Sequence, residues 1–165
     1  MKKNLVLIRH TKSSWKDLSM ADFDRPLKKD RIDDAKNMGK YLKGLKLQPD
    51  LVVASPALRT KQTAEIICDK LNYDFDKVQF DKRIYESTAE EVMQVIRETD
   101  AEVQTLIVIG HNPSLSHFVA QYTDKLLFEM PTTGVAWLEF ETADWEIYRT
   151  TKASLLYFLT PETIK

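Results

Sequence analysis

The sequence predicts an α/β protein built as three α/β/α layers, in which helices cover both faces of a mostly parallel sheet with an antiparallel edge. Short apolar runs at residues 5–8, 51–54 and 106–109 alternate with longer stretches whose apolar residues recur every three to four positions. This alternation is typical of strand–helix–strand units, which form parallel sheets. After residue 122 the helical period gives way to strand-like segments, which favours an antiparallel addition at one edge.

Length and composition limit the classes of protein that the chain can be. Its 165 residues, of which 43% are hydrophobic, suffice for a sizeable core, so we expect one domain over residues 1–165. The net charge of −1 disfavours a broad nucleic-acid surface. The apolar run of residues 5–8 is too short for a signal peptide, and no run approaches the ~20 apolar residues of a membrane span. With a single cysteine as well, a cytoplasmic protein is expected.

The first half of the chain supplies two strands and two helices. A helix over residues 30–46 follows the first strand, because Ala35, Met38, Leu42 and Leu45 recur at helical spacing. Leu51–Ala54 is the second strand. Ser55 is then expected to cap a helix that has Pro56 at its first position and that runs to about residue 71.

A short strand and a capped helix come next. Residues 78–80 are expected to form the strand, and residues 88–98 the helix. Thr88 and Glu91 have the spacing of a capping box, in which each side chain accepts a hydrogen bond from the other residue's backbone amide. This pattern places the beginning of the helix at Thr88.

The last third of the chain contains one more strand–helix pair and then strands alone. Asn112 is expected to cap the helix that follows the third long strand, with Pro113 at its first position. Residues 134–141 and 145–151 are expected to pair as a hairpin, and residues 154–159 to form a last strand.

Polar side chains follow three of the predicted strands at the point where each strand ends. These segments are, in chain order, Arg9-His10-Thr11, Ser55-Pro56-Ala57-Leu58-Arg59 and Gly110-His111-Asn112-Pro113. Because ligands of open α/β sheets bind at the carboxyl ends of the strands, we expect two arginines and two histidines in one crevice. Guanidinium groups and helix N-terminal amides both favour phosphate oxygens, so the sequence predicts an anion site.

The first of these segments offers a phosphate ligand beside a nucleophile. The imidazole of His10 is able to attack phosphorus near neutral pH and to hold the phosphoryl group covalently. Arg9, Arg59 and His111 would offset the charge on the phosphoryl oxygens, so that no metal ion or other cofactor is needed. Taken singly, each segment also fits an ordinary loop, turn or helix cap, and only their joint placement favours catalysis.

Two further residues of reactive type have simpler explanations. His117 lies six residues after His111 in the same helix, and this spacing puts the two rings on different helix faces, which disfavours a zinc site. We therefore expect His117 to be structural or on the surface. Cys68 lies among helical apolar residues and is expected to fill the core.

The three segments resemble the signature of the histidine phosphatase superfamily, whose fold is called phosphoglycerate-mutase-like. That signature has Arg-His-Gly after the first strand, Ser-Pro-x-x-Arg-x-x-Gln-Thr-Ala after the second and Gly-His late in the chain. Three longer segments resemble the small SixA-type phosphohistidine phosphatases, namely RHTKSSW, DFDRPL and PDLVVASPALRTKQTAE. The resemblance implies that His10 accepts the phosphoryl group, and that Arg9, Arg59 and His111 form the phosphate pocket.

Three less distinctive positions are also expected to belong to the site. Glu86, in Ile84-Tyr85-Glu86, stands where relatives with a general acid carry a Leu-x-Glu stretch, although a solvated glutamate near a helix start also fits. Ser14 and Asn112 are expected to contact the substrate.

Two departures from the family pattern bear on these expectations. Thr11 replaces the usual glycine, which would restrict the approach of the loop backbone to phosphate. Asp30-Arg31 stands where close relatives often have Arg-Gly, and this difference is expected to alter the start of the first helix.

The expected substrate follows from how little chain covers the site. Only residues 72–87 connect the second and third helices, whereas larger relatives insert long segments there, so the pocket should be open. An open pocket admits a phosphorylated side chain of a protein, and we expect a monomeric phosphatase that acts on phosphohistidine in proteins. Residues 12–15 should lie at the rim, with Trp15 either there or packed into the fold.

Three alternatives stay open at this point. The chain could hydrolyse small phosphate esters, or it could bind phosphate groups without catalysis. A metal-dependent phosphohydrolase is the third alternative, although the sequence shows no cluster of Asp and His ligands for it.

Overall fold

The structure, a computed structural model, describes residues 1–125, 129–148 and 150–165. The strands within these ranges are β1 (Lys2–Arg9), β2 (Leu51–Ala54), β3 (Gln79–Phe80), β4 (Thr105–Gly110), β5 (Val135–Glu141) and β6 (Ala153–Leu159). The α-helices are α1 (Ile32–Gly44), α2 (Leu58–Leu71), α3 (Ala89–Arg97) and α4 (Ser114–Tyr122). None of these helices is long and apolar enough to cross a membrane.

The six strands form one mixed sheet in the order β3-β2-β4-β1-β5-β6. The neighbours β3, β2, β4 and β1 are parallel, and β5 runs antiparallel to both β1 and β6. Ile109 of β4 pairs with Ile8 on one side and with Ala54 on the other, so the carboxyl ends of three strands lie side by side. This topology confirms the predicted mostly parallel sheet with an antiparallel addition.

Alternate residues of β1 explain why helices cover both faces of the sheet. Leu5 and Leu7 pack into a core cluster with α3 and α4, whereas Val6 and Ile8 pack into a second cluster with α1 and α2. All four side chains are fully buried. A strand buried on both faces reads as a continuous apolar run, which is the pattern seen in the sequence.

The predicted starts of two helices are wrong by one or two residues, whereas that of α3 is confirmed. Helix α2 begins at Leu58 and not at Pro56, and α4 begins at Ser114 and not at Pro113. The hydroxyl of Ser55 is used elsewhere, because it accepts a hydrogen bond from the backbone N–H of Ala57 and contacts a histidine of the site described below. At α3 both hydrogen bonds of the predicted capping box are present.

The predicted hairpin partner of β5 is also wrong. The strand that pairs with β5 is β6, which agrees with the last strand predicted over residues 154–159. The described residues of the segment 145–151 are not in a strand, and residue 149 lies outside the described residues. Trp145 and Ile147 are instead buried against the sheet, with the indole N–H of Trp145 donating to the carbonyl of Val103. Their alternating apolar pattern therefore reflects burial of a loop.

Candidate active site

A cleft of about 360 Å³ lies at the carboxyl ends of β1, β2 and β4. His10 follows β1 directly, and its backbone N–H donates to the carbonyl of Gly110 at the end of β4, at 3.0 Å. Gly110 has no room for a side chain, because a Cβ there would lie 2.9 Å from Ile84 Cγ2. This close packing fixes the ends of β1 and β4 relative to the wall of the cleft.

The cleft brings together six of the seven residues that the sequence predicted for the site. Its lining residues are Arg9, His10, Lys12, Ser13, Trp15, Arg25, Arg59, Tyr85, Glu86, His111 and Asn112. Ser14 is the exception, because it lies outside this lining and its hydroxyl accepts a hydrogen bond from the backbone N–H of Lys16. Its neighbour Ser13 faces the cleft instead.

The environment of His10 selects one nitrogen of its ring. Nδ1 lies 2.7 Å from the carbonyl oxygen of Thr11. Because a carbonyl oxygen only accepts hydrogen bonds, Nδ1 carries the proton in the neutral ring, and Nε2 keeps its lone pair. Nε2 is therefore the nitrogen of His10 that is available as a nucleophile.

Burial keeps the His10 ring neutral. Desolvation lowers its pKa to about 4; the hydrogen bond with Thr11 opposes this shift, and the nearby guanidinium groups of Arg59, Arg9 and Arg25 reinforce it. The side chain is only 7% exposed. A histidine with this pKa is unprotonated at neutral pH, as nucleophilic attack requires.

His111 lies next to His10 and is held from both sides. The two ring centroids are 5.1 Å apart. His111 Nε2 lies 2.8 Å from the hydroxyl oxygen of Ser55, and Nδ1 lies 3.4 Å from Nη2 of Arg59. Because Arg59 only donates, the neutral ring accepts at Nδ1 and donates from Nε2 to Ser55. Burial, with His10 and Arg59 nearby, lowers the pKa of His111 to about 3.

Arg9 and Arg59 each present a donor that the protein leaves without a partner. Arg9 donates from Nη1 to the carbonyl of Met130, and Arg59 donates from Nη1 to the carbonyl of Asp22, both at 2.8 Å. The Nε atoms of the two arginines are buried and have no hydrogen-bond partner among the described residues. An unpartnered buried donor is costly, and a bound oxyanion would satisfy it.

Sequence reasoning missed a second group of residues, which is centred on Asp22. Its carboxylate accepts hydrogen bonds from Arg25, Arg59 and the hydroxyl of Tyr85, with the Tyr85 oxygen 2.6 Å from Oδ2. Arg25 also donates to the hydroxyl of Ser13, and its guanidinium carbon lies 3.6 Å from the ring centroid of Trp15. The signal in the sequence was DFDRPL, which places Asp22 and Arg25 three residues apart.

These contacts keep Asp22 ionised and Tyr85 protonated. Partial burial would raise the pKa of Asp22, but the hydrogen bond from Tyr85 and the contacts with Arg25 and Arg59 outweigh it and hold the pKa well below its ordinary value. Burial, together with the hydrogen bond to Asp22, raises the pKa of Tyr85 to about 12. Neither group is therefore a ready source of a proton at neutral pH.

The substitution of Thr11 for the family's glycine is accommodated without strain. Its φ is not positive, so the loop does not need the conformational freedom of glycine here. The buried side chain shares a hydrogen bond with Thr133 at 2.8 Å, and the backbone N–H donates to the hydroxyl of Thr63 at 3.0 Å. Thr11 thus ties the loop after β1 to α2 and to the segment before β5.

The remaining predicted residues lie at the edge of the cleft. Glu86 is exposed and has φ of 52°, which is uncommon for a residue other than glycine. Asn112 has both ends of its amide engaged, since it donates to the carbonyl of Met130 and accepts from Ser116. Trp15 is 65% exposed and lies at the rim, which decides between the two positions expected from sequence.

The other reactive residues lie away from the cleft. His117 is exposed on α4, and Cys68 is buried in the core, where desolvation raises its pKa to about 12. Within residues 1–125, 129–148 and 150–165, no three His, Cys, Asp or Glu side chains are grouped so that they could hold a metal ion.

The lowered pKa values of His10 and His111 predict a stability that depends on pH. Both are below the ordinary value of 6.5, so protonation of these rings favours the unfolded chain. We expect the free energy of unfolding to fall as the pH drops from about 6.5 toward 4. Because a displacement of one in pKa corresponds to about 1.4 kcal/mol, the loss should reach several kcal/mol. Urea denaturation across this range measures it.

A His10→Asn variant is the control for this pH dependence. It removes one of the two buried rings, so its free energy of unfolding should fall less steeply between about pH 6.5 and 4. An identical slope in wild type and variant would show that His10 is not held neutral by burial.

Comparisons with known proteins identify the family of this chain. Residues 5–102 match the family model of the histidine phosphatase superfamily (branch 1). The chain is 30% identical over 140 residues to an uncharacterised protein of Mycobacterium tuberculosis, covering 78% of this chain and 84% of that one.

Two solved structures share the fold. A candidate phosphohistidine phosphatase SixA from Agrobacterium tumefaciens superimposes with a TM-score of 0.81 and 26% identity, over 96% of this chain and 98% of that one. The protein histidine phosphatase SixA in complex with tungstate gives a TM-score of 0.82 at 22% identity, over 98% and 99% of the two chains. With the family model matched over more than half of its length, the chain belongs to the histidine phosphatase superfamily, branch 1.

Proposed function

We propose that this protein is a phosphatase that transfers a phosphoryl group from its substrate to Nε2 of His10 and then to water. The observation that carries the proposal is the state of His10, which is neutral, buried and hydrogen-bonded through Nδ1 so that only Nε2 is available. Such a ring is a nucleophile in its active protonation state before the substrate arrives.

Recognition of the phosphoryl group is assigned to the two arginines beside His10. The unpartnered Nε donors of Arg9 and Arg59 would each gain a phosphoryl oxygen as acceptor. The likeness to a SixA in complex with tungstate supports an oxyanion site in this fold, because tungstate is a tetrahedral oxyanion like phosphate.

The reaction proceeds in two displacements at phosphorus. Nε2 of His10 attacks, a P–N bond forms, and the bond from phosphorus to the leaving group breaks. Water then attacks phosphorus, a P–O bond forms, and the P–N bond breaks with its electron pair returning to Nε2, so that inorganic phosphate is released with both protons of the water. A bound dianion favours the protonated form of His111, whose Nδ1–H would then donate to a phosphoryl oxygen in place of accepting from Arg59.

The proposed substrate is phosphohistidine in a protein, because its imidazole leaving group depends less on a proton donor in the site than an alkoxide does. An alkoxide must be protonated as it departs, and Asp22 and Tyr85 are held in the wrong states for this. Imidazole can leave after protonation near neutral pH without a strong general acid. The exposed rim, with Lys12, Trp15 and Glu86, leaves space for a side chain on a protein surface.

A panel of substrates tests the proposal. We expect hydrolysis of a phosphohistidine peptide with a kcat/KM well above that of phosphoserine and phosphotyrosine peptides and sugar phosphates at matched concentrations. A sugar phosphate as the best substrate would favour the small-ester alternative. Phosphate binding without turnover of any compound would favour a non-catalytic module.

We also propose that the protein is a cytoplasmic monomer and that its activity needs no metal ion. Activity should survive a chelator, because Arg9, Arg59 and His111 are the groups proposed to offset the charge on the phosphoryl oxygens. Activity lost with the chelator and restored by a divalent cation would favour the metal-dependent alternative.

Glu86 is the residue proposed to protonate poor leaving groups, since it lies at the cleft edge with its backbone held at positive φ. Glu86→Gln should lower kcat/KM by about 10²–10⁴-fold on an ester of a basic alcohol, the range of general-acid catalysis. The loss should be far smaller on a phosphohistidine peptide or an aryl phosphate with an acidic phenol.

The comparison across leaving groups distinguishes the roles open to Glu86. An equal loss on every substrate would mean that Glu86 positions the substrate or stabilises the loop. No loss on any substrate would mean that Glu86 is only a solvated side chain at the rim.

A further inference from the structure

A second and larger concave surface adjoins the cleft. It is lined by residues 12–17, 20 and 26–30, and its volume is about 800 Å³. We call it the side groove. Lys12, Ser13 and Trp15 belong to both linings, so the side groove and the cleft are continuous, with Trp15 at their common rim.

The back of the side groove is held by the backbone and is not a loose loop. Ser13 and Leu27 form an antiparallel bridge, with backbone hydrogen bonds from Ser14 to Pro26 and from Lys28 to Lys12, both 2.8 Å long. The backbone N–H of Leu27 also donates to the side chain of Gln62 on α2. A surface supported in this way needs little reorganisation to bind a partner.

The floor of the side groove is apolar and its rim is basic. Leu27 is buried and Pro26 half-buried, whereas the larger side chains of Met20 and Trp15 remain exposed. Four lysines and two aspartates line the groove, which gives this surface a positive charge in a chain whose net charge is −1.

Most of this positive charge is not neutralised by the protein itself. Lys28 pairs with Asp30 at 3.6 Å, and Asp17 accepts hydrogen bonds from Ser19. The described residues place no carboxylate within ion-pair distance of the other three lysines, which are Lys12, Lys16 and Lys29.

We propose that the side groove binds the polypeptide that flanks the phosphorylated histidine of a protein substrate. The side groove is continuous with the cleft, its back is supported by backbone hydrogen bonds, and its rim is positively charged. The flanking segment is acidic, to complement Lys12, Lys16 and Lys29, and carries an apolar side chain that packs against the floor between Trp15 and Leu27. This inference rests on the proposed function and adds to it the class of protein segment that is recognised. The reacting group stays in the cleft, while the side groove sets the preference among phosphohistidine proteins.

The test uses two lysines of the side groove that do not line the cleft. The variant Lys16→Glu/Lys29→Glu reverses both charges. Its matched control, Lys36→Glu/Lys40→Glu, changes the net charge equally on exposed positions of α1. Three substrates carry the same reacting group: phosphoimidazole, a phosphohistidine peptide with acidic and apolar flanks, and one with lysine flanks.

Wild type and control are expected to prefer the acidic peptide over the lysine peptide by about tenfold in kcat/KM, and the preference should shrink at high salt. The variant should lose the preference, mainly through KM, while its kcat/KM on phosphoimidazole stays within about twofold of wild type. Equal turnover of the two peptides by wild type, or a preference that survives in the variant, overturns the side-groove inference alone. Failure of wild type to hydrolyse any of the three substrates overturns the proposed function itself.

Discussion

A His10→Ala protein should retain its fold and lose at least about 10³-fold in kcat on a phosphohistidine peptide. The substitution removes the atom to which the phosphoryl group is proposed to be transferred, and loss of a nucleophile typically costs several orders of magnitude. The residual rate would come from Arg9, Arg59 and His111, which line the same cleft and are proposed to bind the phosphoryl group. Steady-state kinetics and circular dichroism of the purified variant measure the two parts of the prediction.

The control is His117→Ala, which removes a histidine from the exposed side of α4 and should leave kcat within about twofold. Wild-type turnover by a folded His10→Ala protein would contradict the proposed mechanism. A loss of similar size in the His117 variant would mean that the assay reports folding and not chemistry.

Arg59→Ala is expected to have the second largest effect, a loss of about 10²–10³-fold in kcat/KM, the range seen when one donor to a developing oxyanion is removed. Arg59 lines the cleft, has a buried Nε without a hydrogen-bond partner among the described residues, and also contacts His111 and Asp22. Its loss therefore removes one proposed phosphate ligand and leaves the carboxylate of Asp22 with one cation fewer.

Two variants separate these contributions. Arg83→Ala is the matched control, because Arg83 is also an ion-paired arginine, bound to Asp81 and Glu98, but does not line the cleft. It should leave kcat/KM unchanged within about twofold. Arg59→Lys keeps the charge without the planar fork, so it should recover only part of the activity. Full activity of Arg59→Ala would exclude Arg59 from phosphate binding.

The sheet was predictable because each central strand is a continuous apolar run in the sequence, which can be recognised without knowing its neighbours. Residues 5–8 form a continuous apolar run since Leu5 and Leu7 face one helical layer while Val6 and Ile8 face the other. The same burial on both faces explains the runs in β2 and β4. By contrast, Trp145 and Ile147 alternate with polar residues as in a strand, yet they are buried side chains of a loop. No local pattern distinguishes a half-buried strand from such a loop.

Four of the six predicted residues that line the cleft lie at a strand end or within two residues of one. Parallel strands bring their carboxyl ends together, so His10 and His111 could be placed in one crevice from strand order alone. Asp22 and Arg25 were missed because they lie in a connection whose path depends on tertiary contacts, including those of Asp22 with Arg59 and Tyr85.

The central claim is a covalent phosphoryl group on His10, and trapping it is the most direct test. Wild-type protein mixed with a phosphohistidine peptide and quenched in alkali within a single turnover should gain the mass of one phosphoryl group. Peptide mapping should place that group on His10, and the His10→Ala protein should gain nothing. Turnover that continues with the phosphoryl group on another residue, or with no phosphorylated protein at any time point, would contradict the account.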